Sequence, residues 1–115
     1  MLRKNRTSSA IKKQDYAPVF AALGDETRLY LISKLSGGKS RSIAQLSEGS
    51  KLTRQAITKH LRVLEGAGIV QSQRAGRQHV FEFNPKPIEG IKEYLDFVSE
   101  QWDETLSRLK SFVER

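Results

Sequence analysis

Leu52-Thr53-Arg54-Gln55-Ala56-Ile57-Thr58-Lys59-His60-Leu61-Arg62-Val63-Leu64-Glu65-Gly66-Ala67-Gly68-Ile69 is the stretch on which the reading of the whole chain turns. Thr53 makes a good helix N-cap, because its hydroxyl can accept from a backbone N–H left unpaired one turn on. Leu52 and Ile57 stand at the two positions of a hydrophobic staple, which fixes how the chain enters the helix. Gly66 and Gly68 supply the stop. Between these signals Ile57, Leu61 and Leu64 repeat at i, i+4 and i+7 and so share one face.

The opposite face carries the chemistry. With successive residues about 100° apart, Gln55, Thr58, Lys59 and Arg62 gather across from the apolar stripe. Thr53 and Arg54 occupy the first turn, where a helix entering the DNA major groove makes its deepest contacts. No carboxylate interrupts this face before Glu65, at its far end. Gln and Arg pair bidentately with adenine and guanine edges, and Thr offers a hydroxyl to a base or a methyl to thymine. An ordinary solvated helix face also holds lysine and arginine, so the flanking sequence has to separate the two readings.

Immediately upstream, Ser42-Ile43-Ala44-Gln45 matches the capping box, with serine at the cap and glutamine three residues later. A short helix follows, turning Ile43, Ala44 and Leu46 inward and ending near Gly49. Gly49 to Thr53 is then one short turn into the opening helix, which is the helix-turn-helix arrangement. Downstream, Ile69–Arg74 and Gln78–Phe83 are short runs rich in β-branched and aromatic residues, and the connector Ala75-Gly76 suits a tight hairpin. Phe81 and Phe83 fall on one face and Glu82 on the other. Arg74 and Arg77 flank the turn and make the tip basic. A basic hairpin placed directly after a helix-turn-helix is a wing, able to rest on phosphates beside the groove.

Asn84-Pro85-Lys86-Pro87 breaks the chain. From Ile88 to Val113 the pattern predicts one helix of about 26 residues, ~39 Å long. Ile91, Leu95, Val98, Trp102, Thr105, Leu109 and Phe112 alternate spacings of four and three, the seam of a packed helix pair, and Tyr94, Leu106 and Val113 broaden it. A chain this small cannot cover that seam and its other apolar faces alone, so the seam predicts self-association. Trp102 belongs to this dimer core, or else to an aromatic pocket between the two last helices.

Working back toward the start, Asp25 should cap a helix running to Leu35, with Leu29, Ile32 and Leu35 as core positions and Gly37-Gly38 as its end. Asp25 and Arg28 need no role beyond a cap and a surface or interface charge. Asp15 should cap an earlier helix ending near Ala22, with Pro18 in its first turn and Val19, Phe20 and Leu23 as its apolar face. Residues 1–14 lack apolar periodicity and read as a flexible basic arm, suited to lie along phosphates or in a minor groove if it has a specific role. The expected organisation is thus the arm at 1–14, a winged helix-turn-helix over 15–84 and a dimerisation helix over 85–115. The fold class is mainly α with a small β-hairpin, dimeric through the terminal helices.

Charge agrees with a polyanionic partner. Of the net +7, residues 1–15 contribute +4 and residues 16–84 contribute +5, while residues 85–115 carry −2. There are no cysteines, which excludes disulfides, thiolate metal sites and cysteine nucleophiles. No apolar run approaches the ~20 residues of a membrane span, and the basic start has no apolar segment of a signal peptide. The cytoplasm is the expected compartment. No phosphate-cradling glycine loop occurs, and no histidine lies near a candidate serine or carboxylate pair, so an enzyme is not expected.

Four stretches together resemble the ArsR family of winged-helix repressors. These are Ala22-Leu23-Gly24-Asp25-Glu26-Thr27-Arg28-Leu29, Thr53 through Leu64, Gly66-Ala67-Gly68-Ile69-Val70, and Arg74-Ala75-Gly76-Arg77 leading to Asn84-Pro85. The resemblance spans residues 16–113. It implies a homodimer paired through the terminal helices, binding a palindromic duplex operator and repressing transcription. Metal-sensing members place a cysteine pair near the helix before the recognition helix, or His and Asp/Glu ligands on the last helix. Here the first place reads Ile43-Ala44-Gln45-Leu46-Ser47-Glu48. The last helix has Glu89, Glu93, Asp96, Glu100, Asp103 and Glu104 but no histidine. Carboxylates alone suit harder ions. The chain therefore resembles the branch without metal sites, with no cofactor expected and no effector identifiable.

The base-reading residues expected on this basis are Thr53, Arg54, Gln55 and Thr58. Phosphate contacts are expected from Lys59, His60, Arg62, Arg74 and Arg77, and a dimer interface from Ile91, Leu95, Val98, Trp102, Leu109 and Phe112. His60 also admits a second reading, because it lies between the apolar stripe and the exposed face and suits a partly buried, hydrogen-bonded histidine. The competing function is a winged-helix module that binds protein or RNA without duplex specificity.

Overall fold

A computed structural model describes residues 13–114, so the expected basic arm, save its last two positions, lies outside the described residues. The elements run α1 (Lys13–Leu23), α2 (Glu26–Leu35), β1 (Arg41–Ser42), α3 (Ile43–Ser47), α4 (Arg54–Gly66), β2 (Val70–Ala75), β3 (Gln78–Phe83) and α5 (Lys86–Glu114). The strands form one antiparallel sheet in the order β1-β3-β2. This is a mainly α winged helix-turn-helix, with α3 and α4 as the paired helices and β2–β3 as the wing.

The core is built under α4. Ile57, Leu61 and Leu64 are fully buried, as their spacing predicts, against Leu31, Leu35, Leu46, Ile69 and Val70. The caps predicted at Thr53 and Ser42 are formed. Thr53 Oγ1 accepts from the Ala56 N–H at 3.1 Å. Ser42 and Gln45 close the capping box reciprocally, Gln45 N–H to Ser42 Oγ at 3.2 Å and Ser42 N–H to Gln45 Oε1 at 2.9 Å. At the other end of α4 the Ile69 N–H reaches back to the Leu64 carbonyl at 2.9 Å, the return that a left-handed residue just before Ile69 makes possible. Gly68 supplies it, with φ +77°.

Several expectations are corrected. α1 already contains Asp15, because the helix begins at Lys13 and ends at Leu23; Asp15 is no cap, and Pro18 lies inside the helix. α1 turns Tyr16, Val19 and Ala22 into the core and leaves Phe20 exposed. In α2, Leu31 and Leu35 are the buried pair, while Leu29 is 51 % exposed. That helix carries apolar side chains on more than one face, so its phase is set by what it packs against rather than by its own period. α5 starts at Lys86, with Pro87 in its first turn, where a missing N–H has no partner to lose. Its 29 residues span about 44 Å.

The hairpin pairs Ala75 with Gln78, so Ala75 belongs to β2 and the two-residue turn is Gly76-Arg77, with Gly76 at φ +66°. Arg77 thus stands at the tip itself. β1 is not foreseen by the sequence: two residues are too few to show a period. It pairs Arg41 with Phe81 and Ser42 with Val80, anchoring the inner edge of the wing to the start of α3. Phe81 is buried by this arrangement, and Phe83 is partly buried against the core.

Ile91, expected in the dimer seam, is instead buried in the chain's own core. The first turns of α5 lie against α1, with the Tyr94 ring 5.2 Å from that of Tyr16 and 6.2 Å from that of Phe20. A Cβ on Gly90 would come within 3.3 Å of the Tyr16 ring, so a residue without a side chain lets the two helices approach. Beyond Tyr94 the seam finds little cover in its own chain. Leu95 is 49 % exposed, Trp102 60 %, Leu109 56 % and Phe112 69 %.

Candidate nucleic-acid interface

On α4 the residues opposite the core stripe are outward, as the helical period requires. Thr53, Arg54, Gln55, Lys59 and Arg62 are exposed and Thr58 is half-buried. Two of them are already engaged with backbone. Thr53 uses a lone pair for the cap, which leaves its hydroxyl proton to give. Thr58 donates to the Arg54 carbonyl at 2.8 Å, so toward a base it offers a lone pair or its methyl. Arg54 and Gln55 are the two side chains able to make bidentate base contacts from the first turn.

Glu65, the one carboxylate on the far end of this face, accepts from the Ser72 hydroxyl at 2.8 Å. That bond ties α4 to the wing. Between the two elements lies an open cleft lined by Thr58, Arg62, Glu65, Ser72 and His79, so helix and hairpin form one continuous concave surface. On the wing, Arg74 and His79 are cross-strand partners, and the Arg74 guanidinium donates to His79 Nε2 at 3.1 Å. Arg77 stands exposed at the turn. The exit of the wing is fixed by Asn84, whose side chain donates to the Gly68 carbonyl at 3.0 Å and whose backbone N–H donates to the Ile69 carbonyl at 2.8 Å.

Sequence reasoning underrates one residue behind this surface. Arg28 is no surface charge: its Nε donates to the Ala22 carbonyl at 2.6 Å, one Nη to the Ala21 carbonyl at 3.3 Å and the other to His60 Nδ1 at 3.3 Å. It thereby satisfies carbonyls at the end of α1 and joins them to the recognition helix. Asp25 caps α2, accepting from the Arg28 N–H at 3.0 Å. That backbone bond foremost holds the Asp25 carboxyl below its ordinary value, against an opposing desolvation and with the Arg28 and His60 charges adding to it. Asp25 also lies 3.7 Å from His60 Nδ1. His60 is the partly buried, hydrogen-bonded histidine that its place on the wheel suggests, with a quarter of its side chain open to solvent. The signal for Arg28 is its spacing: three residues after a capping Asp and just past a helix end, a long donor can reach back over that end.

Comparison with known proteins agrees with this geometry. Residues 25–72 match the family described as bacterial regulatory protein, arsR family. The uncharacterised HTH-type transcriptional regulator YuzN of Bacillus subtilis (strain 168) is 39 % identical over 79 residues, 64 % of this chain and 86 % of that protein. The chain belongs to the ArsR family. Another relative, the HTH-type transcriptional regulator NmtR of Mycobacterium tuberculosis, is 32 % identical over 81 residues, 68 % of this chain and 67 % of that one. Among solved structures, an ArsR-like transcriptional regulator from Rhodococcus sp. RHA1 superposes with a TM-score of 0.81 at 32 % identity, covering 88 % of this chain and 92 % of its own. This ArsR-family protein is a transcriptional regulator with a DNA-binding helix-turn-helix, not an enzyme. No helix among the described residues is long and apolar enough to cross a membrane.

The described residues of this ArsR-family chain are poor in the ligands that a transition-metal site prefers. The chain has no thiolate, His60 Nδ1 is taken by Arg28 and His79 Nε2 by Arg74. Among the described residues no three His, Asp or Glu side chains gather as ligands. Release from DNA is therefore expected not to respond to arsenite, zinc, cadmium or nickel at micromolar levels. Titration of the protein–DNA complex, monitored for aggregation, checks this. Dissociation at one ion per protomer would reveal a site built on His60 or His79.

Proposed function

We propose that this regulator acts in the cytoplasm as a homodimeric repressor that binds a roughly palindromic duplex operator. The observation that carries the reading is the exposed face of Thr53, Arg54, Gln55, Lys59 and Arg62, free of carboxylates as far as Glu65, and continued through a cleft at Arg62, Ser72 and His79 to the wing that carries Arg74 and Arg77. In it Thr53, Arg54, Gln55 and Thr58 read bases, and Lys59, His60, Arg62, Arg74 and Arg77 hold phosphates. One such helix addresses only a few base pairs. Two of them, about 34 Å apart in successive major grooves, need a two-fold dimer and an inverted repeat. Leu95, Val98, Trp102, Leu109 and Phe112 are the side chains proposed to hold that dimer, Ile91 being already used.

Selection of bound sequences from random duplex tests the proposal, with single-stranded RNA as a competitor. An inverted repeat preferred over random duplex and over RNA is expected; equal binding of RNA would favour the interaction-module reading. A reporter behind the selected site, silenced by the protein, tests repression. The wing has its own check. Arg74→Ala with Arg77→Ala should weaken binding to every sequence and lower the slope of log affinity against log salt by about 1 for each phosphate released. Unchanged affinity and slope would take the wing out of the interface.

A further inference from the structure

Arginine has only donors, and this selects the tautomer of the neutral histidine it touches. One Nη of Arg28 lies 3.3 Å from His60 Nδ1. Nδ1 must then present its lone pair, and the proton of the neutral imidazole sits on Nε2. No hydrogen bond within the described residues engages Nε2, although a quarter of the side chain reaches solvent. His60 stands on α4 beside Lys59. We propose that Arg28 is a positioning residue for DNA binding: it fixes His60 as the Nε2–H tautomer, so that His60 donates a hydrogen bond to a backbone phosphate oxygen. This rests on the reading of α4 as the recognition helix and adds the means by which His60 takes part.

The neighbourhood makes the tautomer a consequence of Arg28 in particular. The charged groups that face Nδ1 are Arg28 and Asp25, the latter at 3.7 Å. A carboxylate only accepts. With Arg28 gone, Asp25 is the partner left for Nδ1 and would draw the proton there. Nε2 would then carry a lone pair, which a phosphate oxygen repels. Arg28 itself cannot substitute for the contact, since its other nitrogens are bound to Ala21 and Ala22 at the end of α1.

Nitrogen–proton correlation NMR of the histidine rings tests this on the full chain, free and bound to the selected duplex, at alkaline pH where imidazole is neutral. Wild-type His60 is expected as the Nε2–H form, with the Nε2 proton protected on binding. An Nδ1–H form in the wild type would overturn the proposal without touching the assignment of α4, which binding of the duplex reports separately. Arg28→Met should shift the ring to Nδ1–H and weaken binding about tenfold. Should that variant unfold, His60 variants carry the test. His60→Gln has an amide oxygen to accept from Arg28 and an amide N–H to donate, and should bind within about threefold of wild type, whereas His60→Ala should bind about tenfold more weakly. Equal affinities of the Gln and Ala variants with wild type would overturn it.

Discussion

Leu95→Ala, Trp102→Ala and Leu109→Ala combined are expected to give a folded monomer that has lost tight binding to a palindrome. Each of these side chains is about half or more exposed in the isolated chain, so truncation removes little from its own core. What anchors α5 to the domain lies before them, in buried Ile91 and in Tyr94 against Tyr16. Covering the exposed part of each side chain in a dimer is worth ~1 kcal/mol or more, and two-fold symmetry counts each one twice. The sum is ~6 kcal/mol, roughly four decades in the dimer Kd. Sedimentation beside the parent, with circular dichroism for fold, decides it, and weak, salt-sensitive DNA affinity should remain. A triple mutant still dimeric and still bound to a palindrome would place the interface elsewhere, first of all on α1, where Phe20 is exposed beside Tyr94.

The parts of this molecule that are legible in its sequence are those in which local signals agree. Thr53 as cap, Ile57, Leu61 and Leu64 as stripe and the glycine stop all speak for the same helix, and tertiary packing has nothing to override. The capping box at Ser42 is legible for the same reason. α2 can be located from sequence but not phased. Its apolar residues Leu29, Tyr30, Leu31 and Ile32 run consecutively, so periodicity cannot say which side α4 and the sheet will cover. β1 has no pattern to read, because it is a strand only through its pairing with β3. Ile91 shows the limit of a seam: the heptad spacing is continuous through it, yet the chain's own core takes the first position and leaves the later ones. At the interface, residue types on α4 are legible from the wheel. The hydrogen bonds that restrict Thr58 and His60 are not, because each depends on the reach of one side chain.

Those restrictions sharpen the second large effect, which belongs to the recognition helix. Arg54→Ala and Gln55→Ala should each cut affinity for the best operator by ~1–3 kcal/mol per half-site, hence ~2–6 kcal/mol in a symmetric complex where both half-sites are affected. Both side chains are exposed in the first turn of α4, and among the described residues no side-chain hydrogen bond holds either one that DNA binding would have to break. Thr58→Ala should lie at the low end, ~1 kcal/mol per half-site, since its hydroxyl proton is committed to the Arg54 carbonyl and only a methyl or a lone pair is withdrawn from the base. The distinguishing feature is where the effect falls. Removing a base reader relaxes preference at one position of the operator and leaves random duplex almost unaffected, because the wild type makes no such contact there. Lys59→Ala and Arg62→Ala should instead lower affinity for all duplexes together and reduce the salt dependence, the mark of a counterion-releasing phosphate contact. Binding of each variant to the best operator, to operators changed one base pair at a time and to random duplex separates the two classes. If Arg54→Ala and Gln55→Ala lowered operator and random affinity equally, the first turn of α4 would be gripping phosphates and the bases would be read from elsewhere on the surface.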